Sequence, residues 1–253
     1  MSNKISVVII AGNEEQNIYD CLKSVEWADE IIVVDSESTD DTVKIAKEFT
    51  DKIFIKKWMG FSKQKDYAVN LARNNWVLSL DADERITPKL ADEILNSSLE
   101  FDGYLIGREN YFIGKAISTC GWENDYQLRL FKKSNTTITD RLVHEGFVSD
   151  GKTAKLKNKM VHLTYNSIES ALAKINHYSD LKATEDYERK TIGGLGILLH
   201  SVSAFLRFFI SYKGYKDGVY GMIISFFNSI TSMLSYTKIW ELNLRKQTAG
   251  EKE

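Results

Sequence analysis

The chain carries a single proline, Pro88, and only two cysteines, Cys21 and Cys120, in 253 residues. With so little proline and no Gly/Ser-rich or repeated stretch, no flexible linker is expected to cut it. The cysteines lack metal-ligand spacing and imply no disulfide framework, which fits a reducing, cytoplasmic setting. Net charge is −2, so no basic excess points to nucleic acid, and none is expected as a partner. No Gly-x-Gly-x-x-Gly follows the first apolar run, residues 5–10, so the ordinary dinucleotide fingerprint is absent. That run is also too short for a signal peptide's apolar core and lacks a small-residue cleavage site; it is expected to be the first strand.

What is present is an alternation. Apolar runs at 5–10, 30–35, 52–56 and 76–80 read as strands, and the segments between them place apolar residues at helical spacing, as Ile18, Leu22 and Val25 do. Strand–helix repetition of this kind predicts a doubly wound α/β sheet with parallel strands. Two of the runs end in acids, at Asp35 and at Asp81-Ala82-Asp83-Glu84. Acids do not lengthen a buried strand, so they mark its carboxyl end, where open α/β sheets hold their ligands. Asp81 and Asp83 are two residues apart and point to one side of an extended chain. A triplet of this kind is also common in solvated turns, but its place after a buried strand favours two carboxylates converging on Mg²⁺ or Mn²⁺. A calcium loop is excluded because Arg85 and Ile86 stand where it needs Asp-Gly. A phosphatase with an aspartyl nucleophile is a weaker rival, since its first motif is expected near the chain start.

Further on, 90–99 reads as a helix, 103–107 as a strand, and Gln127-Leu128-Arg129-Leu130 as an alternating strand with Gln127 and Arg129 on the polar face. The composition changes after Tyr165, giving expected domains at 1–165 and 166–253. Residues 168–190 read as a polar helix, and Leu195, Leu198, Leu199, Val202, Leu206 and Phe209 form the apolar stripe of the next. Residues 218–237 contain no charge, a length that reaches across a bilayer. Ser225, Asn228, Ser229, Ser232 and Ser235 nonetheless form a polar stripe, which suits a helix lying in an interface or packed on protein. Flanking Lys and Arg complete a basic, apolar patch suited to an anionic leaflet. A helical subdomain buried on the core or in a dimer interface is the plainer alternative, and the oligomeric state is left open.

Taken in order, Ser6-Val7-Val8-Ile9-Ile10-Ala11-Gly12-Asn13-Glu14-Glu15, Ile31-Ile32-Val33-Val34-Asp35-Ser36, Trp58-Met59-Gly60-Phe61 with Gln64-Lys65, Leu80-Asp81-Ala82-Asp83, Gln127-Leu128-Arg129-Leu130-Phe131, Val143-His144-Glu145-Gly146 and Lys238-Ile239-Trp240-Glu241-Leu242 resemble the successive motifs of family 2 inverting glycosyltransferases of the GT-A fold. Within that family the chain is most similar to the bacterial lipopolysaccharide-core β-1,4-glucosyltransferase group. The resemblance implies a Rossmann-like nucleotide-diphospho-sugar transferase domain with a carboxyl-terminal helical, membrane-associating extension, peripheral on the inner face of the cell membrane. It implies a UDP-sugar donor, UDP-glucose by preference, and a glycolipid or lipid-linked glycan acceptor. It further implies that Asp35 contacts the nucleotide base, that Ala11, Asn13 and Glu14 line its pocket, and that Lys65 lies beside it.

Transfer of a sugar from a nucleoside diphosphate requires the leaving charge to be stabilised, and a metal held by Asp81 and Asp83 does this as a Lewis acid. His144 is the expected third metal ligand, with His162 as its substitute. The acceptor hydroxyl must lose a proton, so a carboxylate base is needed. Asp125 and Glu145 are the candidates, then Glu123; the family often has Glu-Asp in this loop, where this chain reads Trp122-Glu123-Asn124-Asp125. The alternatives are a transferase acting on polyprenyl phosphate and a non-catalytic sugar-nucleotide-binding membrane protein.

Overall fold

The computed structural model describes residues 3–139 and 146–250. The chain folds as two compact units, a sheet unit built from 1–109 with 124–163 and a helical unit built from 110–123 with 164–253. The helical unit thus takes in a segment, 110–123, that precedes the change in composition after Tyr165.

In the sheet unit, β1 (Ile5–Ala11), α1 (Ile18–Lys23), β2 (Glu30–Asp35), α2 (Thr42–Ala46), β3 (Ile53–Ile55), α3 (Phe61–Leu71) and β4 (Trp76–Asp81) alternate as the apolar runs predict. The four strands are parallel neighbours in the order β3-β2-β1-β4. β1 and β2 are buried at every position, as parallel strands covered on both faces must be. Alternate side chains serve opposite layers. Val7 and Ile9 join the core formed with Ile18 and Leu22 of α1, whereas Val8 and Ile10 join Ala68 and Val69 of α3.

After β4 come β5 (Glu84–Arg85), α4 (Pro88–Asn96), β6 (Gly103–Phe112), β7 (Lys115–Ala116), β8 (Tyr126–Lys132), β9 (Thr136–Ile138), β10 (Phe147–Ser149) and β11 (Thr153–Tyr165). β8 runs antiparallel between β4 and β6, and β11 follows β6 and pairs with β5 at the edge. The sheet is therefore mixed rather than purely parallel. The one proline opens α4, where its missing N–H costs nothing, and the Thr87 hydroxyl caps the Leu90 amide at 3.3 Å. On β11, Leu156 and Met160 are buried and Lys155, Lys157 and Lys159 are exposed, the pattern of a half-exposed strand.

The helical unit contains α5 (Ile168–Asp186), α6 (Gly194–Leu206) and α7 (Val219–Gly250). Its core gathers Phe112, Ile117, Cys120, Ala171 and Ile224. The serine stripe of α7 faces protein: Ser225 and Ser235 are buried, and the Ser229 hydroxyl donates to the Ser201 carbonyl of α6 at 2.8 Å. Among the described residues the helical stretch long and apolar enough to cross a membrane is 194–211, mean hydropathy 1.5, not the charge-free 218–237. Serine, threonine and asparagine lower the hydropathy of the latter.

The amino ends of the strands are pinned by a buried acid. Glu30 accepts hydrogen bonds from Ser6 Oγ, from Lys52 Nζ and, at 2.8 Å, from the Arg73 amide. Burial pushes its carboxyl up, but Lys52, Ser6 and the Arg73 amide outweigh burial and leave it below the usual glutamate range. A group depressed in the folded state stabilises above its unfolded value and loses that stabilisation as pH falls through the folded one. Glu30→Gln is expected to lower stability by about 1–3 kcal/mol at neutral pH and to flatten the fall in Tm below about pH 4.5. An unchanged Tm–pH profile in the mutant would remove Glu30 from this role.

Candidate active site

The carboxyl ends of β2, β1 and β4 lie side by side. Ala11 pairs with Asp35 across β1 and β2, and Ile10 pairs with Asp81 across β1 and β4, so Ala11, Asp35 and Asp81 share one edge of the sheet. The loops after β1 and β2 are sewn together there. The Asn13 amide donates to Ser38 Oγ at 2.8 Å, the Thr39 amide to Asn13 Oδ1 at 2.9 Å, and the Glu14 amide to Thr42 Oγ1 at 2.7 Å. Asn13 and Glu37 both take left-handed backbone, with φ of 55° and 60°, a conformation that non-glycine residues hold mainly where surrounding bonds demand it. Asp35 is fully buried and accepts from both the amide and the hydroxyl of Ser38. Its carboxylate is thus held rigidly in the wall of this edge.

Asp81 meets two cations. Lys65, from α3, places Nζ 3.0 Å from Oδ1, and Arg129, from β8, donates to Oδ2 at 2.6 Å. Burial pushes the Asp81 carboxyl up, but Arg129 and Lys65 outweigh it and hold the group well below the usual carboxylate range. Arg129 is not on an exposed face, as alternation along β8 suggests, but 4% exposed. Its Nη2 is shared between Asp81 and Glu84. Glu84 is itself completely buried, accepts from the Asp81 amide at 3.0 Å, and lies 3.5 Å from Arg108 Nη1. Arg108 then grips Asp125 with both arms of its guanidinium, Nε at 2.8 Å and Nη2 at 3.0 Å. A chain of alternating charge therefore runs Lys65, Asp81, Arg129, Glu84, Arg108, Asp125.

Asp83 sits beside His162 of β11, with Oδ2 and Nε2 3.6 Å apart. The pairing of β5 with β11, which sets His162 opposite Glu84, produces this approach. Among the described residues no three His, Cys, Asp or Glu side chains converge as a metal cage. A carboxylate and an imidazole do fit a divalent cation that takes its other ligands from phosphate oxygens and water. Asp81 Oδ1 is buried 3.0 Å from Lys65 Nζ without hydrogen-bonding geometry, so it keeps lone pairs that such a cation would fit. His144 and Glu145 lie outside the described residues. Sequence reasoning passed over Arg108 and gave Glu84 and Arg129 no role. Glu84 had a visible signal as the third acid of its motif, whereas nothing near Arg108 announces its partner.

Comparison with known proteins agrees with this geometry. The family model described as glycosyl transferase family 2 matches residues 6–149. An uncharacterized glycosyltransferase of Rickettsia typhi is 33% identical over 260 residues, covering 96% of this chain and 89% of the relative. The lipopolysaccharide core biosynthesis glycosyltransferase LpsC of Rhizobium meliloti is 27% identical, covering 96% and 94%. Among solved structures, residues 1–349 of TarS of S. aureus, crystallised with UDP-GlcNAc, superpose with a TM-score of 0.51 at 14% identity, covering 96% and 92%. The last of these speaks to the fold, a GT-A-like mixed sheet, and the match to the family model over more than half of the residues speaks to kinship: the chain belongs to glycosyl transferase family 2.

Proposed function

We propose that this transferase moves a hexose, glucose from UDP-glucose, onto a lipid-linked or lipopolysaccharide-core glycan with inversion at the anomeric carbon. The observation that carries the reading is the meeting of Asp35, Ala11 and Asp81 at one sheet edge, with Asp81 linked through Arg129, Glu84 and Arg108 to Asp125. Asp35, Asn13 and Glu14 belong to the wall that receives the nucleoside, and Lys65 supplies positive charge beside the diphosphate. Asp83 and Asp81, with His162 or His144, would hold Mg²⁺ or Mn²⁺, which would supply charge that stabilises the leaving diphosphate. The acceptor oxygen attacks the anomeric carbon as the bond to the diphosphate breaks, so one displacement inverts the centre. Asp125 takes the acceptor proton, and Arg108 aims its carboxylate. The lipopolysaccharide-core role of LpsC supports the acceptor class.

The helical unit supports membrane attachment. Leu195, Leu198, Leu199, Val202, Leu206 and Ile210 are 46–71% exposed on one stripe of α6 and its continuation. Arg207, Lys213 and Lys216 accompany that stripe. An apolar face with basic flanks matches an anionic leaflet, at about 1 kcal/mol for each cation near the surface. The chain is read as lying on the cytoplasmic leaflet, where glycolipid acceptors concentrate in two dimensions.

Three outcomes test these assignments. Asp83→Ala should abolish transfer and Mn²⁺-dependent UDP binding while Tm stays near wild type; full activity in excess chelator would defeat the metal reading. Asp125→Asn should keep UDP affinity near wild type and lower turnover about 10²- to 10⁴-fold, the range for a positioned general base. Unaltered turnover in that variant would pass the base role to another acid. Replacing both Leu198 and Leu199 with Ser should release the protein from vesicles of anionic lipid, and salt should weaken binding of the wild type. Resistance of the wild type to alkaline carbonate extraction would mean that it spans the bilayer instead.

A further inference from the structure

The third acid of the Asp81-Ala82-Asp83-Glu84 motif has no part in the mechanism above, yet groups from β4, β6 and β8 converge on it. Its carboxylate is completely buried and both oxygens are engaged. Oε2 accepts from the Asp81 amide at 3.0 Å, which closes the turn carrying Asp81 and Asp83. Oε1 accepts from Arg129 Nη2 and lies 3.5 Å from Arg108 Nη1. Arg129 grips Asp81 at 2.6 Å, and Arg108 grips Asp125 through two hydrogen bonds. The backbone beneath Glu84 is fixed by its pairing with β11.

We propose that Glu84 is a positioning residue for sugar transfer: one buried carboxylate, set between two guanidiniums, ties the acid on the donor side, Asp81, to the acid on the acceptor side, Asp125. The proposal rests on the reading of Asp125 as the base. The physical case is directional. A guanidinium has a planar fork, so a carboxylate at one edge restricts the directions in which its other arms point. With Glu84 in place, the arms of Arg108 that remain are turned onto Asp125. Without its charge, two guanidiniums share a buried space with only Asp81 and Asp125 to satisfy them, and each is drawn away from its working pose. A purely structural acid would show itself in stability alone. A positioning acid shows itself in turnover at temperatures where the protein is fully folded.

The test compares wild type, Glu84→Gln, Asp125→Asn and the double variant. It measures Tm, UDP affinity in the presence of Mn²⁺ by calorimetry, and turnover as UDP release from the donor at 25 °C. Glu84→Gln retains an oxygen for the Asp81 amide, so UDP affinity should stay within about 3-fold. Turnover should fall about 10-fold or more, and adding the substitution to Asp125→Asn should cost less than 3-fold further, as expected for groups acting through one another. Slow Asp125→Asn with normal turnover in Glu84→Gln, or with losses that simply multiply in the double variant, overturns the role of Glu84 and leaves the base in place. Wild-type turnover in Asp125→Asn overturns the base and the proposal together. If Glu84→Gln does not fold, Glu84→Asp carries the same comparison, since it keeps the charge but withdraws it from Arg108 by one methylene.

Discussion

Arg129 stands on β8 between β4 and β6 with 4% of its surface exposed, where an unpaired charge would be strongly destabilising. Asp81 and Glu84 share its Nη2, and that demand organises everything around them. Two acids on one guanidinium need further cations, and Lys65 and Arg108 come from α3 and β6 to provide them. Arg108 in turn calls in Asp125. The result is Asp81, Glu84 and Asp125 against Lys65, Arg108 and Arg129, three negative groups balanced by three positive. Asp83 stands beside this chain and meets an imidazole instead, a neighbour that does not compete with a metal ion in the way a guanidinium does. Balance of this kind lets a sheet edge hold charge rigidly in a medium that would otherwise expel it.

The parts of this arrangement that could be read from the chain are those written in contiguous residues. β1, β2 and β4 are largely apolar runs, because a parallel strand buried on both faces has little polar side to show, and β2 and β4 close on acids. Their ends could therefore be placed, and with them Asp35, Asp81 and Asp83. Arg129 could not. The alternation of Gln127, Leu128, Arg129 and Leu130 reports that two faces differ, but not whether the second face is covered, and here the Arg129 side chain is met by Asp81 and Glu84. Glu84 was visible as an acid, but its partners Arg108 and Arg129 are 24 and 45 residues away. Long-range ion pairs leave no periodic trace. His162 was legible only as a possible ligand, and what brings it to Asp83 is the antiparallel pairing of β5 with β11, a register no local pattern encodes.

In the helical unit Phe112, Ile117 and Ile224 form an apolar core, yet serines are buried as well and several leucines stay exposed. Ser225 and Ser235 are buried because their hydroxyls return to carbonyls one turn back in α7, at 2.7 and 2.8 Å, so burial leaves no donor wanting. Gly221 has a stricter reason to be small: a Cβ there would fall 1.8 Å from the Gly214 carbonyl oxygen. Such residues let backbones approach closely. Leu195, Leu198 and Leu199 are 71, 59 and 60% exposed. In water they would form an apolar patch of the kind that marks an interaction surface. Because each buried hydroxyl finds a carbonyl, serine costs little to bury, so the polar stripe of α7 packs on protein while the leucines of α6 remain at the surface.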